Sequence, residues 1–149
     1  MNLHDVEKLA RAELKAAGLD GTWRIAWDNA RRRAGNTRYL DHTISFSMPL
    51  MSLYEPDVVR EVILHEIAHA IVGPHHGHDA VWAATARRLG STGRTSLPGT
   101  LPKPPATWVG HCPNGHKFER YRRPSNSASC SRCNATYDER YVIAWKRAA

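Results

Sequence analysis

Apolar residues at the start of the chain recur at three- and four-residue steps, Leu3, Val6, Leu9, Ala10, Leu14 and Ala17, and the run stops at Gly18. That period predicts an amphipathic helix over 3–17. From Thr22 to Trp27 the alternation shortens to two and the residues become aromatic and branched, which predicts a strand. Thr37 to Leu40 and Thr43 to Ser47 read as two more strands, and the Asp41-His42 link is short enough for a tight turn. A small antiparallel sheet is the expected result. Met48 to Tyr54 reads as a connection, since Pro49 argues against a strand running through it.

Between Pro56 and Val72 the pattern changes character. Val58, Val59, Val62, Ile63, Leu64, Ile67, Ala68 and Ile71 leave almost no polar face, and a helix apolar all round is buried. Pro56 suits a first helical turn, Asp57 and Glu61 suit its positive N-terminal end, and Gly73-Pro74 suits its end. A further helix is expected from Asp79, a plausible N-cap, to Leu89, closed by Gly90. From Ser91 to Thr107 four Pro and little apolar pattern mark a linker. The expected division is therefore a first domain over 1–102 and a linker with a small second domain over 103–149.

The buried helix carries Leu64-His65-Glu66-Ile67-Ala68-His69. Positions i and i+4 share a helix face, so His65 and His69 can offer two ring nitrogens to one metal ion, with Glu66 beside it. This is the HExxH pattern, in which two His bind Zn²⁺ and the Glu acts as general base toward a water molecule. Buried without partners, these groups would cost several kcal/mol, roughly 2–7 for each unpaired polar group. A metal removes that cost.

A catalytic zinc needs three protein ligands and one open position. From Ala70 to Phe118 the only acidic residue is Asp79, so a downstream Glu as third ligand is disfavoured. His75, His76, His78 and Asp79 remain. His75 falls at the metzincin spacing, but Gly73 is one residue late for that motif. His78 is preferred, because it stands at the start of the next helix, with His76 second.

All 3 Cys of the chain follow residue 110, in Cys112-Pro-Asn-Gly-His116 and Cys130-Ser-Arg-Cys133. An odd number of Cys clustered with His argues for metal binding over disulfides. Cys112, His116, Cys130 and Cys133 are the expected ligands of a structural zinc, with His111 a competitor for His116. Four protein ligands would leave no open position, and a segment this short has too little core to fold unaided.

Composition sharpens the partner question. The formal charge is +7 with a pI near 9.7. Residues 107–149 hold eight Lys or Arg against three acids, so most of that excess lies in the second domain. Phe118, Tyr121, Tyr137, Tyr141 and Trp145 interleave with Lys117, Arg120, Arg122, Arg123 and Arg132, a composition suited to phosphate neutralisation and base stacking. Arg31-Arg32-Arg33 reads as a solvated loop or a phosphate-contacting patch. No apolar run approaches the roughly 18 residues of a membrane span, and Met1 to Glu7 has no signal-peptide character, so a cytoplasmic, nucleoid-associated monomer is expected.

The order of parts resembles the SprT-like metalloprotease family, which includes the Spartan proteases acting on proteins crosslinked to DNA. The likeness rests on His65-Glu66-x-x-His69, a Gly- and His-rich turn ending in His78-x-x-x-Trp82, then Leu89-Gly90 and a paired-turn zinc ribbon. It covers roughly residues 40–145. Two departures are that Asp79 follows His78 where the family often has Gly, and that Gly115 stands where its ribbon usually has a second Cys. The resemblance implies zinc ligands at His65, His69 and His78, with Glu66 as the general base. The fold class it implies is α/β (α+β): a zincin-like, minigluzincin-type domain with a small antiparallel sheet and the HExxH helix, plus a small zinc-ribbon domain. The expected activity is zinc-dependent hydrolysis of peptide bonds in DNA-associated or DNA-crosslinked proteins, with one catalytic and one structural Zn²⁺. The rival is a nucleic-acid-binding zinc protein without proteolysis, in which the HExxH site is structural or silent.

Overall fold

The computed structural model describes residues 1–149 and divides into two compact units, Met1–Pro104 and Pro105–Ala149. No helix is long and apolar enough to cross a membrane.

The first unit runs α1 (Leu3–Ala16), β1 (Arg24–Asp28), β2 (Gly35–Arg38), β3 (Thr43–Ser47), α2 (Met48–Met51), α3 (Pro56–Val72) and α4 (Ala80–Leu89). Asn2 caps α1 by accepting the Asp5 N–H at 2.9 Å. Val6, Ala10 and Leu14, each four residues on from the last, form its buried stripe. That stripe packs in one cluster with Val59, Val62, Ile63 and Ile67 of α3 and with Ile44 and Phe46 of β3. Each fully buried Val, Leu, Ile or Phe in it contributes roughly 1.5–3 kcal/mol. The helix expected over 56–72 spans Pro56–Val72, and Gly73 ends it at φ +85°, in the left-handed region that glycine enters without a Cβ penalty.

The sheet departs from the expected antiparallel pattern. Its order is β1-β3-β2: β2 pairs antiparallel with β3, as the tight turn requires, while β1 pairs parallel with it. Successive reversals make β1 and β3 run the same way, and β3 takes the centre because all five of its residues are buried. The polar Gly-Asn-Thr-Arg of β2 is left at an edge. A second departure is α2, where a connection was expected. The Ser47 hydroxyl accepts the Leu50 N–H at 3.1 Å and Pro49 sits in the first turn, so the proline that excludes a strand starts a helix instead.

The third departure is the segment after α4. Leu97 and Leu101 pack against the first unit's core, so residues 91–104 are a strap on that unit rather than a linker.

In the second unit β4 (Trp108–His111) lies between β5 (Lys117–Arg120) and β6 (Ala144–Arg147), all antiparallel. Its core is small: Cys112, Cys130 and Ile143 are buried, with Phe118, Tyr141 and Trp145 packed on them.

Candidate metal centres

The i, i+4 spacing on α3 puts His65 and His69 on one face, and the turn at 73–79 brings His78 to them. Their Nε2 atoms form a triangle of 3.3 Å (His65 to His69), 3.0 Å (His69 to His78) and 3.0 Å (His78 to His65). A ring nitrogen carries one proton or one lone pair in the ring plane, so three aimed at a common centre cannot satisfy one another. A single cation satisfies all three. Ligand bonds of 2.0–2.1 Å in a tetrahedron set nitrogens about 3.3 Å apart, which matches the observed triangle.

Burial, then the charges of the neighbouring rings, holds His65 at about 4, and burial with His78 does the same to His69 at about 4. Both imidazoles are thus neutral at physiological pH, the form that ligates. Trp82, fully buried, forms the floor. Its ring stacks on His69 with centroids 5.4 Å apart, lies edge-on to His65 and His78 at 4.7 Å each, and its Nε1–H donates to the His65 carbonyl at 3.3 Å.

The other candidates are engaged elsewhere. Asp79 caps α4 by accepting the Trp82 N–H at 3.0 Å, and its second oxygen meets His76 Nδ1 at 2.9 Å. His75, His76 and Asp79 are absent from the group whose ligand atoms converge.

Glu66 is 7 % exposed and points toward β2. Thr37 Oγ1–H donates to its Oε2 at 2.7 Å and to its backbone carbonyl at 3.0 Å. Burial raises the carboxyl to about 7, against the opposing pull of the Thr37 hydroxyl and the Arg33 charge. Tyr39 belongs to the same neighbourhood: burial, then the Glu66 charge, pushes its phenol above the usual value.

Gly35 is where β2 presses on this carboxylate. A Cβ built there would stand 2.7 Å from Glu66 Cγ and 2.9 Å from Oε1. Gly35→Ala is accordingly expected to push Glu66 out of place, costing about 1–3 kcal/mol of stability by overpacking and lowering turnover more than substrate affinity. Thermal melts and a kcat/KM split check it; an unchanged kcat would show that the carboxylate position is not tied to β2.

A cleft of ≈ 720 Å³ opens beside His65 and Glu66, with Gly35, Val58, Val62, Arg94 and Leu97 among its walls. Three features here escaped the sequence: the Thr37 hydroxyl, the Gly35 contact and the strap. Only the Ser-Thr pair at 91–92 and the leucines at 97 and 101 signalled the last.

In the second unit Cys112, His116, Cys130 and Cys133 converge, with His111 exposed and outside the group. His116 Nδ1 lies 3.4 Å from the Cys112 Sγ and 3.3 Å from each of the other two, and Cys112 Sγ is 3.8 Å from Cys133 Sγ. Tetrahedral zinc with Zn–S near 2.3 Å spaces thiolates about 3.8 Å apart and a thiolate and imidazole about 3.5 Å apart. The donor set and its spacing fit zinc, and 3.8 Å is far beyond a disulfide.

The five basic residues singled out from sequence are exposed but do not share one face. Trp108, missed from sequence, pairs in register with Arg120 on one side and Arg147 on the other, so these three lie on one sheet face. The Arg123 and Arg147 guanidiniums sit 5.4 and 5.7 Å from the Trp108 ring, and Arg120 lies 5.7 Å from Trp145. Lys117 falls on the opposite face, paired with Glu119 at 3.1 Å. Arg122 lies beyond β5, and Arg132 sits in the turn between Cys130 and Cys133.

Comparison with known proteins adds three findings. No curated protein sequence matches the chain. Among solved structures, the metallopeptidase zymogen jannalysin of Methanocaldococcus jannaschii superposes with a TM-score of 0.51 at 13 % identity, over 58 % of this chain and 83 % of that one. The zymogen abylysin of Pyrococcus abyssi gives 0.48 at 16 % identity, over 56 % and 77 %. The jannalysin likeness is one of fold, an α+β metallopeptidase architecture. The SprT-like family model matches residues 4–103, which is most of the chain and the whole of the His-bearing unit short of its ends, and the chain belongs to the SprT-like family.

Proposed function

We propose that the chain is a zinc-dependent metallopeptidase that hydrolyses peptide bonds in DNA-associated proteins. The observation that carries the reading is the pairing of three convergent Nε2 atoms, 3.0–3.3 Å apart, with the buried Glu66 one residue along the same helix. His65, His69 and His78 would hold Zn²⁺, which when bound polarises a carbonyl and lowers the pKa of an attacking water. Glu66 takes the proton of that water and passes it to the leaving amine, and the Thr37 hydroxyl fixes the carboxylate that does so. The edge strand β2 leaves one rim without a strand partner beside Glu66, where an extended peptide can add as a further strand. Membership of the SprT-like family supports the peptidase part.

The DNA clause rests on the second unit, its Cys₃His zinc group and the arginines around Trp108 and Trp145, a surface suited to phosphates and stacked bases. The test uses the full chain with zinc, a basic protein substrate, and single-stranded DNA present or absent. Cleavage stimulated by DNA is the expected result, and no cleavage at high enzyme concentration would leave the non-proteolytic reading. Binding to single-stranded DNA should weaken with salt by a slope of about 0.7 per neutralised phosphate. Arg120→Ala with Arg123→Ala should flatten that slope by roughly one contact each. Salt-insensitive binding would remove DNA from the reading.

A further inference from the structure

His65 and His69 are fixed by α3, but His78 stands in the turn between α3 and α4, exposed and outside any helix. The sequence of that turn constrains it loosely. Gly73 and Gly77 hold φ of +85° and +53°, and Gly77 directly precedes His78. A residue so placed keeps its position through the bonds on either side of it, and Asp79 supplies them. Its N–H donates to the His76 carbonyl at 3.2 Å, which closes the turn backbone. Its Oδ1 accepts the Trp82 N–H at 3.0 Å, so the segment after His78 is tied to a residue fully buried against Ala68 and Ala86. Its Oδ2 meets His76 Nδ1 at 2.9 Å, so the segment before His78 is tied to the same carboxylate. A carboxylate only accepts, and Nδ1 therefore carries the proton of that bond whether or not the ring is charged.

We propose that His76 is a positioning residue for the metal centre: by clamping Asp79 across the turn, it holds His78 in place as the third ligand. The inference rests on the reading of His65, His69 and His78 as metal ligands. Of the three, His78 is the one that needs such support. The i, i+4 spacing on α3 sets His65 and His69 side by side, whereas His78 Nε2 has to be brought within 3.0 Å of both from another segment. Every conformation of the turn that carries this nitrogen elsewhere leaves the metal two ligands. The fraction of molecules with the turn closed therefore scales the affinity for metal. The Trp82 ring, edge-on to His78 with centroids 4.7 Å apart, limits the turn from the buried side. The exposed His76–Asp79 bond limits it from the solvent side.

Titration of the full metal-free chain with Co²⁺ tests this, since the His₃ centre and the thiolate-rich Cys₃His centre absorb differently and are read separately. His76→Ala should weaken cobalt binding at the His₃ centre by about 2–5-fold, the size of an exposed charge-assisted contact. It should also speed removal of that cobalt by a chelator and leave the thiolate bands unchanged. Asp79→Ser keeps a side-chain oxygen for the cap but none to reach His76, and should give the same loss. His76→Asn should restore wild-type affinity, because the Asn amide nitrogen falls where Nδ1 stood and can donate to Oδ2, while Nε2 is gone. Melting of the metal-free chains is followed in parallel, because a purely structural role would lower Tm and leave His₃ affinity untouched. Wild-type affinity in His76→Ala and Asp79→Ser, against a wild type that binds, overturns the proposal alone. Failure of Asn to restore what Ala loses overturns it too, and points to His76 Nε2 as a ligand. A wild type that takes up no cobalt at the His₃ centre overturns the metal reading and this proposal with it.

Discussion

Glu66→Gln should lower kcat for peptide hydrolysis by roughly 10²–10⁴-fold, the range for loss of a general base, while metal content and fold stay as in the wild type. The amide has the carboxylate's shape and its oxygen can still accept the Thr37 hydroxyl, so the 2.7 Å contact survives and only basicity is lost. Hydrolysis of a quenched peptide, with metal analysis of both proteins, reads the two quantities separately. A Gln variant with wild-type turnover would exclude Glu66 as the base. The same substitution has a stability signature in the metal-free chain. Burial raises the Glu66 carboxyl from 4.5 to about 7, so folding favours its protonated form. That contribution is fully present below pH 4.5 and is lost as pH rises through 7. Gln, which never ionises, escapes the loss, so the variant should gain on wild type by on the order of 3 kcal/mol between pH 4.5 and 8.5. Denaturation of both metal-free chains across that window checks it, and a pH-independent difference would show that Glu66 is not desolvated as the structure has it.

How much of this was legible in the sequence follows from the range of each interaction. The α3 helix was readable from Pro56, the apolar run and Gly73, because start, burial and stop are all local. The two-His face followed from helical geometry alone. For the third ligand, the scarcity of acids after Ala70 narrowed the field and the start of the next helix favoured His78, while what occupies His76 and Asp79 instead is visible only in the fold. There, His76 meets Asp79, Asp79 caps α4, and His78 Nε2 joins the triangle. The support of Glu66 was not legible. Thr37 and Gly35 lie 29 and 31 positions upstream in the numbering, and nothing in Gly-Asn-Thr-Arg announces that its edge strand will cover a carboxylate. The strap was misread for a related reason. Its Pro and Gly content is that of a linker, and what ties it down is the distant Glu61. The parallel pairing of β1 likewise depends on β3 being the most buried strand, a property of the assembled sheet.

Cys130→Ser should unfold the second unit and leave the first folded, because the two draw their stability from different sources. The first unit has a core of a dozen buried residues from α1, β3, α2, α3 and, through Tyr54, the link between the last two. The second unit's buried core side chains are Cys112, Cys130 and Ile143, and two of these three belong to the proposed zinc site, so most of the side-chain core there is that site itself. Structural zinc supplies apparent binding energies of about 10–16 kcal/mol to domains of this kind, far more than burial of one Ile at roughly 1.5–3 kcal/mol. Serine keeps the volume and loses the thiolate, which leaves three ligands and an opened coordination position. The expected result is one zinc per chain in place of two, collapse of the amide NMR dispersion for residues 105–149, and rapid proteolysis there with 1–104 intact. His65→Ala should show the converse, losing the other zinc and keeping the second unit's spectrum. Retention of two zinc ions and a dispersed spectrum in Cys130→Ser would mean that the second unit is held by its strands and aromatic packing, and that its cysteines are not its foundation.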